Sequence, residues 1–216
     1  GRSGRVTPIA ELEPVELAGA TIRRATLNNI DDIKRKGVLE NATVFVRRSN
    51  EVIPEIMGLA EKKEGSREIE IPSRCPSCNQ PLTQKGPLLF CTNHSGCKDQ
   101  VVDRIVHFAS RNAFNIEGLS DKTVEAFYDV LGLRNTSDLF TLTESDLQKL
   151  DNFKEKKACN IITSIQNSKN IDFSRFLFAL GIPEVGVKTA KDLARKYHSI
   201  QEISSADKEG LLEIDD

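Results

Sequence analysis

Apolar and polar residues alternate over the first third of the chain and change to a three-to-four spacing in its second half. Val6 to Val15 and Ala20 to Leu27 read as extended segments, with Pro8, Pro14 and Gly19 as breakers. Asn29 to Gly37 reads as a short helix, with Asn29 as its cap and Gly37 as its stop. Thr43 to Arg48 is a strand, and Val52 to Leu59 continues as β with Pro54 at an edge or bulge. Arg67 to Ile71 alternates cleanly and predicts a further strand. About five short strands and one small helix within residues 1–71 suit a small Greek-key barrel of the OB type. From Gln100 the period is helical, with Val101, Val102, Ile105, Val106 and Ala109 on one face. Short helix pairs are expected over 116–131, 144–166 and 171–197, a weak repeat of the helix–hairpin–helix kind. Leu211 to Asp216 reads as the opening of one more pair.

Residues 72–98 hold too few apolar side chains to fold around a core. They hold four of the five cysteines instead. Cys75 and Cys78 form a C-x2-C knuckle, twelve residues precede Cys91, and five more precede Cys97. Two loops with two thiolates each suffice for a closed tetrahedral zinc site, which is structural because it has no place for water or substrate. Cys91 also stands three residues before His94, so three cysteines and one histidine are a competing set. Disulfides are disfavoured without a secretion signal. Cys159, alone in a helical pattern, reads as a buried small apolar residue.

A net charge of −2 gives no global case for nucleic acid. The distribution does more, since residues 1–50 carry nine Lys/Arg against six Asp/Glu and the stretch after Glu202 is mostly acidic. No apolar run is long enough for a membrane span, and the first residues lack a signal peptide's apolar core. A cytoplasmic monomer is expected. The only Met is Met57, so residue 1 reads as a cut into a longer protein. With 6% aromatics and no Trp, no single large aromatic core is expected.

Three helical segments share a logic: 115–123, 151–158 and 179–190. Each places an apolar residue in a tight turn and opens a helix directly afterwards. Amides at a helix start can bind a phosphate oxygen, and glycine lets a nucleic-acid backbone approach. Gly118, Lys122 and Thr123 are the candidates in the first segment, Lys154 in the second, and Gly181, Gly186, Lys188 and Thr189 in the third. The second has Asn152 and Lys154 where small residues are expected, so it can equally be purely structural. Ordinary turns of a helical bundle remain the alternative for each taken singly. Such contacts read phosphates and not bases, so binding would be sequence-independent and salt-dependent. His107 and His198 read as hydrogen-bonded or surface residues, and Phe173, Phe176, Leu177, Phe178 and Leu180 as core.

The order of barrel, four-cysteine module and helical hairpins resembles one family, the NAD⁺-dependent DNA ligases. Gly4 to Val15 resembles the opening of that family's OB domain, and Ala25-Thr26-Leu27-Asn28-Asn29 its next signature, with Asn28 where His is usual. Arg47 to Pro54 resembles an Arg-Ala-Gly-Asp-Val-Ile-Pro segment, departing at Ser49, Asn50 and Glu51. His107 to Arg111 and Leu180 to Gly186 also match. The resemblance implies a multidomain α+β protein: an OB barrel over 1–71, a zinc finger over 72–98 and an all-α helix–hairpin–helix domain over 99–216. It further implies a parent enzyme that seals nicks in duplex DNA through an adenylated intermediate, using NAD⁺ and Mg²⁺. The family's Lys-x-Asp-Gly motif does not occur in the chain. The nucleotidyltransferase domain is therefore expected upstream, a BRCT domain beyond Asp216, and the chain alone is expected not to seal. By the same resemblance Arg23, Arg24, Arg47 and Arg48 would face the minor groove of nicked double-stranded DNA. Two other readings stand beside it: the tandem hairpin module of a repair nuclease or junction-binding protein, and a zinc-stabilised protein-interaction module.

Overall fold

The computed structural model describes residues 1–17, 19–48 and 53–214. They form two compact units, one of Gly1 and Ser3–Cys97 and the other of Arg2 and the residues from Lys98 onward.

The first unit begins with a two-residue strand, β1 (Arg5–Val6), followed by β2 (Ile9–Leu17) and β3 (Ala20–Thr26). The single extended segment expected from Val6 to Val15 is thus two strands. The break falls at Thr7-Pro8, where proline lacks the N–H needed to continue a ladder. Helix α1 (Ile30–Lys36) starts where the Asn29 side chain accepts from the Asp32 amide and stops at Gly37, whose φ of 61° is left-handed. Strands β4 (Leu39–Glu40), β5 (Thr43–Arg47), β6 (Glu55–Glu61) and β7 (Arg67–Glu68) complete the barrel region. One sheet has the order β2-β3-β6-β5 and a second pairs β4 with β7. The expected β stretch from Val52 begins at Glu55 among the described residues, and Ser49 to Val52 lie outside them.

The expected strand Arg67–Ile71 pairs only over Arg67–Glu68, because β4 offers just two residues to pair with. Ile69 and Ile71 keep the alternation and still pack on the core of Ala25, Leu27, Ile33, Val38 and Ile56. Strands β8 (Leu82–Lys85) and β9 (Leu88–Cys91) form a hairpin, and β1 adds to its β9 edge with Arg5 opposite Phe90 and Val6 opposite Leu89.

The second unit is helical: α2 (Lys98–Ala109), α3 (Asp121–Val130), a 3₁₀ turn (Thr136–Thr141), α4 (Glu144–Leu147), α5 (Glu155–Asn167), α6 (Phe173–Ala179), α7 (Val187–Lys196), α8 (Ile200–Ser205) and α9 (Lys208–Leu212). The pair expected within 116–131 is a single helix, α3, packed against α2. Residues 110–120 form the connection, and Ile116 and Leu119 in it are buried like helical core residues. A three-to-four spacing cannot distinguish such a connection from a first helix. The main core gathers Val101, Ile105, Val124, Phe127, Leu139, Leu147 and Ile165. Within this mainly aliphatic core a few rings meet: Phe108 stacks on Phe114 with centroids 4.0 Å apart, and Phe114 also meets Phe140 and Phe176 at 5.8 and 6.3 Å. A smaller core joins α6 and α7 through Leu177, Ala190 and Leu193. Phe173, Phe176 and Phe178 pack on these cores as expected, whereas Leu180 is exposed.

Candidate functional site

The four cysteines of residues 75–97 meet. Their sulfurs all lie within 4.8 Å of one another, with Cys78 and Cys91 at 3.6 Å and Cys75 and Cys97 at 4.0 Å. A tetrahedron of zinc–sulfur bonds of about 2.3 Å has edges of about 3.8 Å, so the set fits a four-thiolate ion, and the spacings are far from a disulfide's ~2.05 Å. Local folding creates this. The knuckle turns through Asn79 at φ 58°, and Cys75 donates its amide to Gln80 while its carbonyl accepts from Asn79. Cys91 ends β9, and the Cys97 amide donates to the Asn93 carbonyl just before α2. Cys75, Cys91 and Cys97 are buried, and among the described residues the partly buried hydrophobics packed against their cluster are Cys78 and Leu82. Sulfur therefore takes the place of a hydrocarbon core. The Gln80 backbone first, and then the Asn93 side chain, hold the Cys78 thiol down to about 7, whereas burial pushes Cys91 up to about 12. A bound cation would favour the thiolate of both. His94 is exposed and outside the group. Cys159 is exposed on α5, against expectation, because Ala158, Ile161 and Ile165 occupy the buried face.

The helix-start segments share a geometry that their sequences hide. In each, a left-handed residue stands two positions before an extended N-cap, with an apolar residue between. The sets are Gly118-Leu119-Ser120 (φ 85° at Gly118), Asn152-Phe153-Lys154 (φ 65° at Asn152) and Glu184-Val185-Gly186 (φ 64° at Glu184). The positions corresponding to Gly118 are thus Asn152 and Glu184, and only the first is glycine. Gly181 is also left-handed, at φ 64°, one turn earlier.

The helix starts differ in how their amides are used. Ser120 caps α3 by accepting from the Thr123 amide, and its hydroxyl lies 3.0 Å from the Thr123 hydroxyl. Thr123 is buried, while Lys122 and Gly118 stay exposed. At α5 and α7 the N-caps Lys154 and Gly186 make no side-chain cap bond. Gly186, with no atom within 4 Å of an added Cβ, leaves the start of α7 open beside exposed Lys188 and half-buried Thr189. Lys154 and Lys156 are exposed at α5, and Lys157 lies over the Phe153 ring at 3.8 Å. His107 bonds through Nε2 to the Phe178 carbonyl at 2.8 Å, and His198 is a surface residue.

On the barrel, Arg23 and Arg24 project from β3, and Arg24 pairs with Glu11 of β2 at 3.1 Å. Arg47 ends β5 and lies 3.4 Å from Glu55, and Arg48 is half-buried. Sequence reading missed a part-buried charge cluster that joins α1 to β6 and reaches Arg47. The Lys36 ammonium meets Asp32 at 2.8 Å and Glu55 at 2.9 Å. Burial opposes the lysine charge, but hydrogen bonds to the two carboxylates outweigh it and raise its pKa above the ordinary value. Hydrogen bonds from Lys36, and then Asn28, hold Asp32 and Glu55 below the usual carboxylate range.

Comparison with known proteins agrees with this architecture. Residues 1–68 match the family described as NAD-dependent DNA ligase OB-fold domain, and residues 175–216 match the helix-hairpin-helix motif. The chain is 54% identical over 217 aligned positions to a protein named DNA ligase from Clostridium botulinum (strain Loch Maree / Type A3), covering all of this chain and 33% of that protein. It is 52% identical to the DNA ligase of Finegoldia magna and to DNA ligase 1 of Clostridium acetobutylicum, with the same coverage. The chain thus spans about a third of the length of these relatives. Among the described residues no helix is long and apolar enough to cross a membrane.

Proposed function

We propose, from the match of residues 1–68 to the family described as NAD-dependent DNA ligase OB-fold domain and from the 54% identity of the whole chain to a protein named DNA ligase, that the chain is the DNA-gripping portion of an NAD⁺-dependent nick-sealing ligase. The carrying observation is the match over the full chain, supported by two open helix starts and a metal-fit thiol cluster. NAD⁺ supplies the adenylyl group in such an enzyme and Mg²⁺ supports its transfer; no residue of this chain is assigned to either. What the chain contributes is hold and alignment. Cys75, Cys78, Cys91 and Cys97 would bind one structural Zn²⁺ and replace a missing core. Amides at Gly118, at Lys154 and at Gly186–Thr189, with Lys122 and Lys188 beside them, would take phosphate oxygens. Arg23, Arg24, Arg47 and Arg48 would add contacts from the barrel. Aligning a nick costs deformation energy that many phosphate contacts can offset. The protein acts as a cytoplasmic monomer in this reading, with a barrel, a zinc finger and a hairpin domain as its three modules.

The OB-domain match disfavours both the nuclease-type hairpin module and the protein-interaction module. Binding of the chain to nicked duplex at two salt concentrations tests the grip. Equal binding of unrelated sequences, weakening steeply with salt, is expected, and no binding at either salt refutes it. Restoring a full-length ligase and assaying sealing with NAD⁺ against ATP tests the parent activity. Sealing with ATP alone overturns the class.

A further inference from the structure

The buried Lys36 has no role in the phosphate contacts described so far, yet it is tightly organised. Its side chain is 7% exposed, and besides Asp32 and Glu55 its ammonium donates to the Ile56 carbonyl at 2.8 Å. Asn28, held at φ 60° with its amide donating to Thr26 Oγ1, sends its side-chain N–H to the same two carboxylates at 3.0 and 2.9 Å. Both Lys36 and Asn28 reach Oε1 of Glu55. That oxygen is pinned from the α1 side, so the carboxylate has a fixed orientation. Its other oxygen, Oε2, accepts from Arg47, the residue opposite Glu55 in the β5–β6 register, at 3.4 Å. The Arg47 side chain is 59% exposed. A long, exposed pair of this kind is weak, and a phosphate offering two oxygens to a guanidinium competes with it well. If Arg47 leaves, Glu55 keeps Lys36 and Asn28, so no carboxylate is stranded without a partner.

We propose that Glu55 is a positioning residue for Arg47: its Lys36-anchored carboxylate holds the guanidinium at the end of β5 in the free protein and yields it to a phosphate of bound duplex. This rests on the reading of Arg47 as a DNA contact. Glu55 therefore sets the affinity of the barrel face without touching DNA.

The test is equilibrium binding of the chain to nicked duplex at low salt, with thermal unfolding as the check on fold. Arg47→Gln should weaken binding and flatten its salt dependence by about one phosphate contact. Glu55→Asp keeps the charge but shortens the reach, and should tighten binding about 2- to 5-fold, the range open to an exposed ion pair. That gain should vanish when Arg47→Gln is also present. Glu55→Gln should tighten binding more than Glu61→Gln, which makes the same charge change at an exposed site on the same strand. A gain from Glu55→Asp that survives Arg47→Gln, or equal gains from Glu55→Gln and Glu61→Gln, overturns the proposal, as does no gain at all while Arg47→Gln still weakens binding. If Arg47→Gln changes nothing, the reading of Arg47 as a DNA contact falls, and the proposal with it. Should the Glu55 variants not fold, the Arg47 side-chain N–H resonance of the unaltered chain decides. A shift on adding nicked duplex is expected, and an unmoved resonance refutes the proposal.

Discussion

Gly186 and Lys188 are where the proposed phosphate contact of α7 can be tested residue by residue. Gly186 is not left-handed and an added Cβ there meets nothing within 4 Å, so the fold does not require glycine. What a larger side chain would remove is close approach to the α7 amides. Gly186→Val and Lys188→Ala should each weaken duplex binding about 3- to 10-fold, the equivalent of one lost hydrogen bond or charge contact, with thermal stability nearly unchanged. Lys36 is the opposite case. Removing its ammonium takes one partner each from Asp32 and Glu55, which keep Asn28, Arg35 and Arg47, so Lys36→Met should cost about 1–2 kcal/mol in denaturant unfolding. The pH dependence follows from the shifts. Asp32 and Glu55 have ordinary values of 3.8 and 4.5 and lie below them in the fold, so their contribution is full above those values and is lost as pH falls through the folded ones. Lys36 is raised above 10.5, so its contribution is full below that value and is lost as pH climbs through the folded one. The stability gap between wild type and Lys36→Met should form a plateau across neutral pH and narrow at both extremes.

Among the elements, the thiol module depends most on something other than packing. With Leu82 the one non-cysteine hydrophobic packed on the sulfur cluster among the described residues, a strong chelator should unfold residues 72–98. Backbone amides of the β8–β9 hairpin should then lose hydrogen-exchange protection while those of α2 and α5 keep theirs. Retained hairpin protection after complete metal removal would count against a structural ion. Acid should have the same effect, because protons compete for the thiolates. This module and α1 were legible in the sequence because their determinants are local: a cysteine spacing, Asn29 as cap and Gly37 as stop. Arg67–Ile71 was misread because a strand needs a partner, and β4 supplies only two residues. Cys159 was misread because its neighbour Ala158, not the cysteine, lies on the buried face. The common turn at the helix starts was half visible. Glycine signals a left-handed residue at 118, but Asn152 and Glu184 adopt the same conformation without that signal.

For the whole molecule, the proposed grip would be a sum of many weak contacts at near-zero net charge. Raising salt from about 50 to 200 mM should lower duplex affinity by about 10²-fold or more if five or so phosphates are held. A change of only a few-fold would mean that far fewer are engaged. Arg23, Arg24, Arg47 and Arg48 could be named from sequence as candidate cations. The Lys36 cluster could not, because Glu55 is 19 residues away and meets Lys36 only once the sheet has formed.

One feature of the first unit couples its parts mechanically. Val6 is laced to the cysteine hairpin, and Pro8, whose carbonyl accepts from the Leu27 amide, and Ile9 are laced to the barrel, leaving Thr7 as the slack between them. A tether that short cannot absorb much movement. Loosening the metal loop should tug on β2, and clipping the first eight residues would strip the cover from β9, leaving a bare strand edge ready to recruit a neighbouring molecule.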